Sequence, residues 1–135
     1  KQADAASLTS LAFQLGYHFS QNEGELRLKK VLQDKSQKIF VCDINSQVSG
    51  WIHVCHCERF LSDAFAEVVG FIVDKNHRSK GIGTALLSHV EQWAIYNDIQ
   101  IIRIRSNILR EQIIPFYEKR GYRLTKTQKV FYKKR

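Results

Sequence analysis

In the stretch HRSKGIGTALL two cations, Arg78 and Lys80, lead into two glycines one residue apart, Gly81 and Gly83, and then into an amphipathic run. That combination suits an anion. The first amides of a helix have no intrahelical partners and stand at the positive end of its dipole, so a helix start attracts phosphate. Glycines let such a ligand approach the main chain and tolerate positive φ. The added cations favour a phosphate ester over a simple carboxylate. Two familiar phosphate loops do not fit. A dinucleotide fingerprint would need a third glycine where Leu86 stands, and it would follow the first strand, not a third. A P-loop would need a lysine between Gly83 and Thr84. What remains is Arg-x-x-Gly-x-Gly over residues 78–83, behind an apolar strand that ends at Val73.

A second group could bind metal. His53, Cys55 and Cys57 alternate and therefore share one face of a strand, and Cys42 could add a fourth ligand from across a hairpin. There is no C-x-x-C, and structural zinc usually sits in loops that wrap the ion. Half-buried strand cysteines are the expected reading, and no metal is expected. His77 reads as a solvated loop residue, and Lys133, Lys134 and Arg135 as a solubilising end.

The net charge of +8 is unevenly spread. Residues 1–77 carry 8 basic against 9 acidic side chains, and residues 78–135 carry 13 against 4. The basic half begins at the quoted stretch, as an anion site there would require. The acidic residues of the first half, Glu23, Glu25, Asp34, Asp43, Glu58, Asp63 and Glu67, would suit a cationic or amine-bearing second ligand. A nucleic-acid binder built on the basic half would show steep salt dependence. With 135 residues, of which 44% are apolar, one domain is expected. No run of 18 or more apolar residues is present, so no membrane-spanning helix is expected. No charged-then-apolar leader is visible, although a chain beginning at Lys1 leaves an N-terminal signal open. Three cysteines without a repeating framework fit a reducing compartment, and a cytoplasmic location is the expectation.

These residues need elements to position them. Leu8, Leu11, Ala12 and Leu15 have helical spacing, ended by Gly16. Ser20 and Glu23 form a capping-box pattern ahead of a second helix with Leu26, Val31 and Leu32 as its apolar face. Residues 38–44 and 51–57 read as a hairpin around a turn at 45–50, and 65–73 as a nearly all-apolar central strand. A helix follows from Thr84 to about Asn97, with Leu86, Leu87, Val90, Trp93 and Ala94 on one side. Residues 99–106 form a strand, a short helix runs from Gln112 to Arg120 and is closed by Gly121, and 130–134 form a last strand. The order predicts an α/β (α+β) fold, a mixed sheet covered by helices.

The combined spacing resembles the GNAT superfamily of acetyl-CoA-dependent N-acetyltransferases, whose signature is Arg/Gln-x-x-Gly-x-Gly/Ala between a strand and a helix. AEVVGFIVDKNHRSKGIGTALLSHVEQWA is similar to its central motif, RSNILREQIIPFYEKRGYRL to its C-terminal segment, and LAFQLGY and GWIHV to one bacterial small-molecule, aminoglycoside-like branch. The resemblance implies a mostly antiparallel mixed sheet in one domain over 1–135, and acetyl-CoA as co-substrate. It implies that the main chain of Phe71, Ile72 and Val73 pairs with the pantetheine arm, and that Arg78, Ser79, Lys80, Gly81, Ile82, Gly83 and Thr84 hold the pyrophosphate. Asn107 would contact the cofactor from the end of the next strand. Tyr117 matches a tyrosine that protonates the departing thiolate, and Glu67 a carboxylate that serves as general base. Homodimerisation is implied by the resemblance alone.

The chemistry asks for such groups in its own right. An amine with a pKa near 10.4 is protonated at neutral pH and must lose a proton before it attacks a thioester. Desolvation on an apolar strand is expected to raise the Glu67 pKa toward that task. A strand-end amide such as that of Val73 suits a developing oxyanion. Tyr17 and Trp51 are the expected acceptor-pocket residues. The acceptor is expected to be a small cationic amine. Protein lysines or N-termini, and a catalytically silent CoA-binding module, are the alternatives. No membrane partner is expected, nor nucleic acid once CoA claims the anion site. Departures from the family are Ile113 and Ile114 in place of a common Ala-His, Pro115 at the start of the last helix, and no counterpart of the usual first strand before Ala5.

Overall fold

The computed structural model describes every residue except Leu15, Ser79 and 107–112. It comprises two compact units, Lys1–Ile104 and Arg105–Arg135. The first contains a 3-10 turn Gln2–Asp4, helices α1 (Ala5–Phe13) and α2 (Gln21–Gln33), and strands β1 (Gln37–Ile44), β2 (Gln47–Cys57) and β3 (Phe65–Val73). A second 3-10 turn (Lys75–His77), helix α3 (Ile82–Tyr96) and strand β4 (Ile102–Ile104) follow. The sheet order is β1-β2-β3-β4, antiparallel except for the parallel β3–β4 pair. This is the expected mixed, mostly antiparallel sheet flanked by helices.

The helices carry local start and stop signals. The Ser20 hydroxyl accepts from the Glu23 amide at 3.1 Å, which is the expected cap of α2. The Glu23 carboxylate turns to Arg27 at 3.6 Å. The buried face of α2 differs from expectation. Gly24 and Leu28 are buried, whereas Leu26 and Leu32 are exposed, because α1 approaches so closely that a side chain at position 24 would strike Thr9. After α1, Gly16 at φ 88° ends the helix, with its amide bonded to Phe13 and that of Tyr17 to Ala12.

The β1–β2 turn is shorter than the expected 45–50. Asn45 and Ser46 alone make it, both at positive φ, so Ile44 pairs directly with Gln47. β3 is central, with Phe65, Ala66, Glu67 and Val68 all buried. Its register against β2 shifts after Val68, leaving Val69 as an extra residue between the pairs Val54–Val68 and His53–Gly70. β4 pairs with β3 only over Ala66, Glu67 and Val68, and is shorter than the expected 99–106. α1 and α2 cover the sheet face that carries Trp51 and His53. α3 covers the other, where Phe40 stacks on His89 and Gly50 lies against Ile82 and Leu86. α3 begins at Ile82, not Thr84, because buried Ile82 joins Leu86, Leu87, Val90 and Ala94 on the core side.

The second unit contains helix α4 (Ile114–Glu118), with Pro115 in its first turn and Gly121 at φ 87° closing it. The expected strand at 130–134 is not formed. Val130, Phe131 and Tyr132 are 81%, 92% and 87% exposed and join no ladder among the described residues, and an extended segment without a neighbour gains no pairing energy. No described helix is long and apolar enough to cross a membrane.

Candidate active site

The loop after β3 is built around Asp74. Its carboxylate accepts from the Asn76 amide at 3.1 Å and faces His77 Nδ1 at 3.5 Å, while its own amide donates to the Ser49 carbonyl at 2.8 Å. Gln14, at the end of α1, braces the same turn by accepting from the Lys75 amide at 3.1 Å. The Asn76 amide, above all, holds the Asp74 carboxyl below its ordinary range. His77 is therefore not the solvated residue expected. Its side chain is 23% exposed and turned onto Asp74.

Beyond this turn the chain reaches the glycines. Gly81 has φ 81°, a left-handed conformation that L side chains rarely adopt, and a Cβ placed there would meet nothing within 4 Å. This open space lies at the start of a 15-residue helix, where main-chain amides lack intrahelical partners. Arg78 and Lys80 are exposed beside it, and Arg78 Nε donates to the Val73 carbonyl at 3.2 Å. The Ile82 side chain is buried, and so is that of Ile72, packed with Leu11 and Val48. Gly83 lies in the first turn of α3 and Thr84 is exposed. Phe71 and Val73 are half-buried, beyond the end of the β4 ladder. Ser79 and Asn107 lie outside the described residues.

The opposite end of β3 carries Glu67, which is 4% exposed. It pairs with Cys55 on β2 and Arg103 on β4. Arg103 Nε lies 3.7 Å from one carboxylate oxygen and the Cys57 thiol 3.9 Å from the other. A buried carboxylate requires such a counter-charge. On the same face His53 Nε2 contacts Gln37 Oε1 at 2.8 Å, with the Cys55 sulfur 3.6 Å from that oxygen and 3.8 Å from the imidazole. Burial lowers the His53 pKa, keeping the ring uncharged at neutral pH. Burial, with Cys57 and Glu67 nearby, pushes the Cys55 thiol up to about 11. Among the described residues no three His, Cys, Asp or Glu are arranged to hold a metal ion. Cys57 turns to Glu67, and Cys42 pairs with Gly50 on the face toward α3.

Trp51 lies across β3. A Cβ at Gly70 would sit 2.6 Å from its ring. It lines a cavity beneath α1 and α2, and its indole nitrogen is buried without a hydrogen-bond partner among the described residues. Tyr17 is 62% exposed and is not among the residues lining that cavity. Tyr117 is on α4 in the second unit, half-buried, with its ring edge-on to Phe116 at 5.5 Å and Tyr122 at 6.1 Å. Sequence reasoning missed Arg103, Gln37 and the role of Cys55 as cross-strand neighbour of Glu67. The only signal for Arg103 was a cation in an apolar strand, and its partner is fixed by the parallel register.

Comparison with known proteins places the chain in a family. The acetyltransferase (GNAT) domain family matches residues 35–124, two thirds of the sequence, and the protein belongs to that family. An uncharacterized N-acetyltransferase of Methanocaldococcus jannaschii is 26% identical over 98 residues, which is 70% of this chain and 42% of the relative. The chain thus spans about two fifths of the length of that curated relative. An aminoglycoside 6'-N-acetyltransferase from Acinetobacter haemolyticus superposes with a TM-score of 0.86 at 16% identity, covering 99% of this chain and 94% of that one. Glucosamine-6-phosphate N-acetyltransferase from Arabidopsis thaliana superposes with a TM-score of 0.85 at 17% identity, covering 98% and 93%. At these identities the likeness is one of fold.

Proposed function

We propose that the protein transfers the acetyl group of acetyl-CoA to a primary amine of a small molecule, by direct attack while both substrates are bound. The observation that carries this most is Gly81, left-handed and open, at the start of α3 behind a turn held by Asp74. Main-chain amides from Gly81 to Thr84, with Ser79, Arg78 and Lys80, hold the pyrophosphate. The main chain of Phe71, Ile72 and Val73 lies along the pantetheine arm, and Asn107 contacts the cofactor from beyond β4. When bound, acetyl-CoA supplies an acyl thioester, which an uncharged amine attacks.

Glu67 is the proton acceptor in this scheme. At 4% exposure it works through a water, with Arg103 as its counter-charge. The N–C bond forms as the C–S bond breaks, the amine proton passes toward Glu67, and Tyr117 gives a proton to the sulfur. His53 and Trp51 stand on the same sheet face as Glu67, where an acceptor amine can be steered.

The test uses Glu67→Gln and Tyr117→Phe. Each should lower turnover by about 100-fold, within the usual range for proton-transfer groups, while acetyl-CoA affinity is retained. Unchanged turnover would remove that residue from the scheme. A wild-type protein that binds acetyl-CoA but acetylates no small amine would be a CoA-binding module or a protein acetyltransferase. A panel of lysine and N-terminal peptides separates those two.

A further inference from the structure

A cavity of about 330 Å³ lies between α1, α2 and the sheet. Its floor is Ile39, Trp51 and His53, and its walls include Leu8, Leu28 and Val31. We propose that this cavity holds the acceptor, and that the acceptor is a primary amine on an apolar aryl or branched-alkyl body, not a polycation. The acceptor role rests on the acetyltransferase reading above.

Position supports the role. His53 pairs with Gly70 across the β3 bulge, and Cys55, the next residue on the same face, pairs with Glu67. An amine held at the His53 end of the cavity is therefore one cross-strand pair from Glu67, about 7 Å along the strand.

Charge supports the class. Among the described residues no carboxylate lines the cavity, while Arg27 does, with its guanidinium 4.7 Å over the Phe19 ring and 3.6 Å from Glu23. Glu23, Glu25, Asp34, Asp43, Glu58 and Asp63 are all exposed. None of these carboxylates lines the cavity. A polycation entering this cavity would lose hydration without meeting a counter-charge.

Shape and hydrogen bonding agree. The volume is at the low end for small-molecule pockets, and an apolar lining with few polar groups orients a ligand by those groups. The buried indole N–H of Trp51 lacks a partner among the described residues, and the face of an aryl ring accepts such a donor. The His53 ring, fixed by Gln37 at 2.8 Å and kept uncharged by burial, does not repel an amine.

The test compares 2-phenylethylamine with an aminoglycoside, kanamycin, by calorimetric binding with and without CoA and by thiol release from acetyl-CoA. The expected result is 2-phenylethylamine binding, with kcat/KM about 100-fold or more above that for kanamycin. Val31→Phe, which fills the cavity from α2, should weaken 2-phenylethylamine binding by about tenfold or more and leave acetyl-CoA affinity within about twofold. Leu8→Phe repeats the test from the α1 wall if the first variant does not fold. Preference for kanamycin, or 2-phenylethylamine affinity unmoved in a folded filled variant, would overturn the proposal. If 2-phenylethylamine binds and is displaced by filling but no amine is acetylated, the cavity's ligand class stands and the acetyl-transfer reading falls.

Discussion

The glycine loop and the Glu67 face lie toward the two ends of β3 and are made in opposite ways. In the loop, contacts short in sequence shape the turn, Asp74 with Asn76 and His77 and Arg78 with Val73, and two main-chain amides tie it to Ser49 and Gln14. What the loop exposes is main chain at Gly81 and the cations Arg78 and Lys80. Around Glu67 the contacts run between Gln37, His53, Cys55, Cys57 and Arg103, brought together by three strand registers, and they are made by buried and half-buried side chains. A site made of local backbone survives changes in the core and fails when one glycine is replaced. A site made of paired strands fails when the sheet face is disturbed.

The largest expected effect tests the local end. Gly81→Glu puts a side chain at φ 81° and a negative charge at the phosphate cradle, and should weaken acetyl-CoA binding by about 100-fold or more. Calorimetric titration reads it, and a melting temperature close to wild type would confirm that the damage is local. Binding that survives this change would break the comparison, since the loop would then not be the anion site.

Gly70→Ala tests the other end. The added methyl would sit 2.6 Å from the Trp51 ring, so the indole must move off β3, at about 1–3 kcal/mol of stability in urea unfolding. Amine affinity should fall with it while acetyl-CoA affinity holds. Equal loss of both would mean that the two ends are not independent.

A pH series sharpens the contrast further. Because the Asp74 carboxyl is held below its ordinary 3.8, its contribution is fully present above that value and is lost as pH falls through the lower folded-state value. Asp74→Asn should therefore lower stability in the neutral region and converge on wild type as pH falls below about 4, which flattens the acid limb of the stability curve. The smallest effect concerns Cys55. With its thiol pushed up to about 11, only about one molecule in a thousand is thiolate at pH 8, so iodoacetamide should scarcely label it there. Rapid labelling of Cys55 at pH 8 would show that this face opens to solvent.

Much of this was legible from local pattern. The Ser20 cap, the central placement of 65–73, the core face of α3 and the glycine turn all follow from residues within a few positions of one another. The failures fall where distance in sequence matters. Leu26 and Leu32 fit a helical stripe, but the approach of α1 at Gly24 turned a different stripe inward. The segment 130–134 has strand composition and joins no ladder among the described residues. The acidic residues of the first half suggested a cationic ligand, yet Glu23, Glu25, Asp34, Asp43, Glu58 and Asp63 are exposed and Glu67 is buried against Arg103.

The sequence by itself therefore determined the family, the glycine turn and the elements that frame it, because glycine, capping residues and apolar periodicity act over one or two turns of chain. Only the tertiary structure decided that Arg103 faces Glu67, that Trp51 lies on Gly70, and that the cavity beneath α1 and α2 is apolar. Those facts depend on strand register and helix approach, which are settled by the packing of residues far apart in the chain.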